Sequence, residues 1–180
     1  AKRWQPADAR HVRWSRSYVE KLEARSRFPL MIWPPHCLVG SPGHAVYEPL
    51  RAALERWEAT TFRPVHYVWK GANIRTEHYS ALQADVPDPK DAATRLNKRL
   101  LRRLQAAEEL WVSGEAASHC VRHTLLDYAA NVDDEALGRV RLLENTTSAV
   151  TGFEDSVSGF LTDLERRGMI RTTTEASLSR

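Results

Sequence analysis

Between Val46 and Leu164 the apolar residues switch repeatedly between helical and extended spacing, and this alternation constrains the fold more than any other feature. Val46, Leu50, Leu54 and Trp57 recur at intervals of four, four and three, the period of one helix face, which predicts a helix over about 44–59. Val65-His66-Tyr67-Val68-Trp69 is short, aromatic and β-branched, follows Pro64 and stops before Lys70-Gly71, so it predicts a strand. Leu96, Leu100, Leu101 and Leu104 mark a further helix, and Leu110 to Ser113 a second strand ending at Gly114. Val121, Leu125 and Tyr128 give the next helical stripe, Val140 to Leu143 a third strand, and Val157, Phe160, Leu161 and Leu164 a last helix before Gly168. Strands separated by helical segments of this length need crossover connections. The expected fold is therefore α/β, a three-layer α/β/α arrangement around a mainly parallel sheet.

Composition narrows the class. A chain of 180 residues with 42% hydrophobic content can bury one sizeable core, so a single domain over 1–180 is expected, with the polar stretch 173–180 as a fraying tail. The 26 Lys+Arg against 23 Asp+Glu leave a net charge of +3, and the basic residues are mixed with acidic ones rather than gathered into a stripe. That argues against a nucleic-acid partner. No apolar run approaches the roughly 18 residues that span a bilayer, and AKRWQPADAR at the start lacks the apolar stretch of a signal peptide. A soluble, cytoplasmic protein with no membrane partner is the expectation. Two cysteines, Cys37 and Cys120, are too few for a disulfide framework and must each be buried, reactive or metal-bound.

In parallel α/β sheets ligands bind beyond the carboxyl ends of the strands. Lys70 sits just past the first expected strand, and Cys120 lies in the loop that follows the second. The two share a rim, and His36, in the loop before the first recognisable helix, can join them. Gly114-Glu115-Ala116-Ala117-Ser118-His119 leads into a helical stripe, which sets Cys120 near a helix N-terminus. The exposed N–H groups there favour a thiolate, as does a nearby lysine, and they can hold an oxyanion. The plainer alternatives are a buried structural thiol at Cys120 and a solvated strand-end lysine at Lys70. His66, His78 and His123 read as ordinary strand, loop and helix residues, and Cys37 as a packing residue. His119, adjoining Cys120, is open to either reading.

WPPHC at 33–37, GSPGH at 40–44, VWKGAN at 68–73 and SGEAASHCVRHT at 113–124 occur in this order. Together they resemble the nicotinamidase/isochorismatase-like cysteine hydrolases, over about Trp33 to Val150. The resemblance implies Cys120 as nucleophile, Lys70 as the catalytic lysine, and the backbone N–H groups of Ala116 and Cys120 as oxyanion hole. It further implies a cis peptide between Glu115 and Ala116, His36 as a metal ligand, and Trp33 as an aromatic residue stacked on the substrate. Tyr79 matches a pocket-lining tyrosine, and His119 is placed with the substrate pocket. The segment 75–81, RTEHYSA, is like the longer members of the family. The implied reaction is thiolate attack on a small amide, release of ammonia or an amine, and hydrolysis of the thioester by water. The implied cofactor is a divalent, zinc-like metal.

Relatives carry a strand-borne aspartate near the N-terminus and an Asp-x-His metal pair after the second strand, and the 32 residues before Trp33 contain neither. RSYVEKLEARS, 16–26, reads as the helix that follows those strands. The expectation is a family fold short of its first two strands, its general base and two metal ligands. Such a chain is a fragment, a truncated inactive relative, or one whose acid is supplied elsewhere, with Glu77 as substitute and Asp127 pointing away. Two further readings remain. One is a metal-binding module built on His36-Cys37, His44 and His119-Cys120-x-x-His123, a spacing that matches no standard zinc motif. The other is a non-catalytic interaction protein, whose uncovered sheet edge would promote association, homo-oligomers included.

Overall fold

Three short strands, β1 (Leu110–Val112), β2 (Val140–Leu143) and β3 (Ile170–Thr172), form a parallel sheet in the order β1-β2-β3. Leu110 pairs with Val140 and Leu142 with Arg171, so the register is set by apolar residues at the sheet centre. Each parallel pair is joined through helices, as crossover geometry demands. This is the α/β class with a parallel sheet that the alternating periodicity predicts. The computed structural model describes residues 6–25 and 28–178. It divides into two compact units, Ala1–Val68 and Trp69–Arg180.

The second unit holds the sheet. Between β1 and β2 lie α4 (Cys120–Ala129) and α5 (Asp134–Leu137), and between β2 and β3 lies α6 (Asp155–Arg166). Before β1 stands α3 (Lys98–Gln105), N-capped by Asn97, whose side chain accepts from the Leu100 N–H at 3.0 Å. Val140 and Leu142 alternate onto the face of β2 that is fully buried. They meet Leu101 of α3, Val121, Leu125 and Tyr128 of α4, and Phe160, Leu161 and Leu164 of α6 in one core cluster. α4 and α6 lie against each other. On the alternate face Trp111, Arg141 and Ile170 form a row across the three strands, with Trp111 and Ile170 partly open to solvent. Gly168 turns the chain from α6 into β3 at φ +107°, and a Cβ there would come within 3.4 Å of the Gly138 Cα. Both the backbone angle and the close approach call for glycine.

The first unit contains α1 (Val12–Ala24) and α2 (Glu48–Thr61). α2 starts four residues later than the periodicity suggests, because Pro49 occupies its first turn and residues 42–44 form a separate 3₁₀ turn. α1 covers 16–24 of the segment expected to be helical at 16–26, with Arg25 as its C-cap and residue 26 outside the described residues.

Two local expectations are corrected. Val65 to Trp69 forms no strand, since none of its backbone groups enters a ladder among the described residues. The Val65 N–H donates instead to Glu58 Oε1 at 2.6 Å. β3 was not anticipated: Ile170-Arg171-Thr172 has a single apolar residue, and pairing with β2 rather than composition makes it a strand. Where the sequence suggests a polar tail, Thr174–Leu178 forms a short helix, α7. Asn145 ties it down by accepting from the Thr174 N–H at 3.1 Å and donating to Thr174 Oγ1 at 2.8 Å. Residues 179–180 lie outside the described residues.

Candidate active site

Cys120 opens α4, and its sulfur is partly accessible. The helix is fixed beneath it by Val121, Leu125 and Tyr128, which sit in the core. The loop that delivers the cysteine, 114–118, runs beside residues 146–150 and is bonded to them along its length. The Gly114 N–H donates to Thr146 O at 3.2 Å, the Ala117 N–H to Ser148 O at 2.8 Å, and the Val150 N–H to Ser118 Oγ at 3.0 Å. The Glu115 carboxylate accepts from both the Ser148 N–H and its hydroxyl at 3.1 Å. The peptide between Glu115 and Ala116 is cis. Ala116 O receives the His119 N–H at 3.0 Å and the Val121 N–H at 3.1 Å, which closes the turn into the helix. Among the described residues the N–H groups of Ala116 and Cys120 donate to no backbone carbonyl outside regular elements, and for Cys120 this is the open first turn of a helix.

Lys70 reaches this point although the strand expected to carry it is absent. Its Nζ lies 3.7 Å from Cys120 Sγ and donates to His78 O at 2.9 Å. Lys70 makes no ion pair among the described residues. Sequence reasoning expects these two residues on one rim because each follows a strand; Cys120 does come off a strand-to-helix loop, whereas Lys70 comes off a segment outside the sheet.

Behind the pair lies a set of buried polar side chains. His123, one turn along α4 from Cys120, and Asp85 are almost fully buried, and His123 Nδ1 is 2.7 Å from Asp85 Oδ1. The other Asp85 oxygen accepts from the Tyr79 N–H at 3.1 Å. The Tyr79 ring stands edge-on to His123 at 5.0 Å and tilted to His119 at 5.3 Å, and the His119 ring meets Phe153 at 4.7 Å. Buried His119 also bonds Ser118 Oγ through Nδ1 at 2.8 Å. Tyr79 and His119 therefore stand together, and His119 directly precedes Cys120 in the chain. Burial, then the neighbouring His123 and Arg122, hold His119 below the ordinary histidine range. His78 is lowered too, by burial first and by Lys70 second.

Of the carboxylates, Glu77 accepts from the Tyr79 hydroxyl at 3.1 Å, and Asp127 accepts from Gln83 Nε2 at 2.8 Å. Asp127, expected to point away from Cys120, is fully buried. Asp85 and its bond to His123 were not singled out from the sequence. The only available signal was an aspartate within an otherwise apolar and small-residue stretch, Ser80-Ala81-Leu82-Gln83-Ala84-Asp85. A cavity of about 330 Å³ opens between α4 and α6, with Ala117, Val121, Leu142, Thr147 and Phe160 in its wall. None of the sequence-predicted site residues lines it.

His36 and Trp33 belong to the first unit, where their rings meet edge-on at 6.3 Å and His36 Nδ1 contacts Pro34 O at 2.7 Å. Cys37 is exposed there rather than packed, at a positive φ of 48°. Among the described residues no three His, Cys, Asp or Glu side chains converge in a way that could hold a metal ion. The donor set present does not fit the zinc-like site that the resemblance implies, since structural and catalytic zinc take three or four protein ligands.

No protein-family model matches the sequence, and no curated protein matches it. Solved structures do. The chain superimposes on yeast nicotinamidase with a TM-score of 0.54 at 17% identity, over 79% of this chain and 58% of that one. The same yeast enzyme bound to the inhibitor nicotinaldehyde gives 0.55 at 15% identity, over 81% and 60%. The fold is shared with nicotinamidase. Pyrazinamidase of Pyrococcus horikoshii in complex with zinc also matches, with a TM-score of 0.50 at 16% identity, over 93% of this chain and 87% of that one. The chain spans about three fifths of the yeast enzyme's length. No helix among the described residues is long and apolar enough to cross a membrane.

Proposed function

We propose that this chain belongs with the nicotinamidase-type cysteine hydrolases and cleaves a small amide through a thioester on Cys120. The observation that carries the reading is the ammonium of Lys70 standing 3.7 Å from the Cys120 sulfur at the start of α4. A cation and a helix N-terminus acting together favour the thiolate, the form that attacks a carbonyl. The N–H groups of Ala116 and Cys120 are the donors for the oxyanion that forms, and Lys70 offsets the charge that develops. Tyr79 and His119 supply pocket wall on the unit that carries Cys120. Among the described residues His36 has no co-ligands that fit a metal.

The test is ammonia release from nicotinamide and from pyrazinamide by purified protein, beside Cys120→Ala. Turnover abolished in Cys120→Ala, a loss of about 10³-fold or more, is the expected result. One observation favours a second reading, a non-catalytic relative. Glu77 Oε1 accepts from the Tyr79 hydroxyl, Asp85 Oδ1 meets His123 Nδ1 and Asp127 Oδ1 accepts from Gln83, and among the described residues none of these three carboxylates hydrogen-bonds the Cys120 sulfur. No ammonia above the Cys120→Ala background from any primary amide tried, with Cys120 still rapidly alkylated, would establish that reading instead.

A further inference from the structure

The Lys70–Cys120 pair is assembled from two pieces of chain that have no regular secondary structure in common. Lys70 is exposed and held through His78 O, whereas Cys120 is carried by a buried helix. The carbonyl that holds Lys70 must itself be aimed, and one residue does this through both its backbone and its side chain. Asp85 takes hold of the backbone on both sides of His78: its own N–H donates to Glu77 O at 2.8 Å, and its Oδ2 accepts from the Tyr79 N–H at 3.1 Å. Through Oδ1 the same carboxylate meets His123 Nδ1 at 2.7 Å, three residues after Cys120. Both partners are nearly inaccessible to water, so these bonds are not exchanged for solvent.

From this geometry we infer that Asp85 is a positioning residue, a buried bracket that fixes the His78 carbonyl, and with it Lys70, against the helix that bears Cys120. It touches neither Sγ nor Nζ, and it acts through the segment it grips. The inference rests on the reading of Cys120 and Lys70 as a working pair. The chemistry of the bracket requires an acceptor for the Tyr79 N–H and a second hydrogen-bonding position for the His123 imidazole. An asparagine can meet both needs if His123 takes the tautomer protonated at Nε2: the amide oxygen then receives the Tyr79 N–H and the amide NH₂ donates to Nδ1. A serine or alanine cannot.

The measurement is the rate at which iodoacetamide alkylates Cys120 at neutral pH, read by mass spectrometry in a Cys37→Ser background. Circular dichroism and thermal melting record whether each variant is folded. An ammonium near 4 Å from a thiolate is worth about tenfold or more in its population, depending on screening. Asp85→Ala and Asp85→Ser are expected to slow alkylation at least tenfold while still melting cooperatively, and Asp85→Asn to stay within threefold of the parent. In a Lys70→Ala background, truncating Asp85 should change the rate no further. Folded truncations labelled at the parental rate would overturn the inference. So would an Asn variant as slow as Ala, which would make the charge and not the bracket the operative feature. Equal slowing with and without Lys70 would assign Asp85 a merely structural role. If Ala and Ser do not fold, a tenfold loss in Asn still overturns it, and parental labelling in Asn with loss in His123→Leu upholds it. Alkylation needs no amide turnover, so failure of the hydrolase reading would appear separately, as a parent that is alkylated fast but releases no ammonia.

Discussion

Residues 110–129 and residues 70–97 deliver one half each of the candidate site, and they are built on opposite principles. The first is β1, a short loop and α4, with Val121, Leu125 and Tyr128 pinned in the core. The second contains no strand and no α-helix, only turns and one 3₁₀ segment at Ala92–Thr94. It is nonetheless buried at Ser80, Leu82, Ala84, Asp85 and Thr94. Its backbone is satisfied by side chains and isolated contacts rather than ladders. Asn97 N–H donates to Leu82 O at 2.7 Å, Ala84 N–H to Thr94 O at 2.9 Å, and Asp88 N–H to Thr94 Oγ1 at 2.9 Å. Buried irregular chain must find a partner for each polar group individually. The lesson is that the sulfur is held by burial of apolar area, and the lysine by a chain of specific hydrogen bonds.

That contrast should show first as a difference in what destroys each region. Leu125→Ala empties a site only 3% exposed, among Leu82, Val140 and Phe160. It should cost about 2–5 kcal/mol. For a chain of this size that lowers Tm by roughly 5–15 °C, in a single transition that takes both regions down together. A melt in which residues 70–97 unfold separately would contradict the shared core.

Thr124 is where the two regions are stitched. Its hydroxyl donates to Cys120 O at 2.7 Å and accepts the Ala81 N–H at 3.0 Å. Thr124→Val keeps the shape and removes both bonds, leaving an amide without its acceptor, for about 1–3 kcal/mol. The expected signature is local: faster hydrogen exchange at Ala81, with the amides of β2 unchanged. Equal acceleration in both would mean that Thr124 contributes to global stability and not to the joint.

The same contrast explains what could be read from the sequence. Helix α4 and strands β1 and β2 announce themselves because burial of one face forces a period on the apolar residues. Cys120 is then located by its position relative to those elements. Val65 to Trp69 has strand composition, but composition cannot tell whether a neighbour exists to pair with it, and Tyr67 and Trp69 stay largely exposed. β3 fails in the other direction, made a strand by its neighbour despite carrying one apolar residue. Asp85 was illegible for a third reason. A buried carboxylate is defined by partners at Tyr79 and His123, six and 38 positions away, and no local pattern records the second of these. The motifs around Cys120 and Lys70 stood out as a resemblance, while Asp85, which grips the segment that holds Lys70, did not.

Each region also contains a histidine whose charging it opposes, and this should produce the smallest of the effects. Burial and then Lys70 lower His78, while burial and then His123 and Arg122 lower His119. The more distant Asp85, Asp127 and Asp91 pull His78 the other way without reversing the shift. A folded value below the unfolded one, near 6.5, means that on acidification the unfolded chain takes up the proton first. Stability is then fully present above about pH 6.5 and declines as pH falls from there toward the folded value. Tm measured from pH 7.5 down to pH 5 should fall, and His119→Gln should flatten that slope. His78→Gln should flatten it as well, while leaving the carbonyl that holds Lys70 untouched, because the bond to Nζ is made by the backbone. If the ammonium is part of what lowers His78, then Lys70→Met should reduce the contribution of His78 to the slope and leave that of His119 as it was. An unchanged contribution from His78 would show that the lysine's field stops short of the loop that holds it.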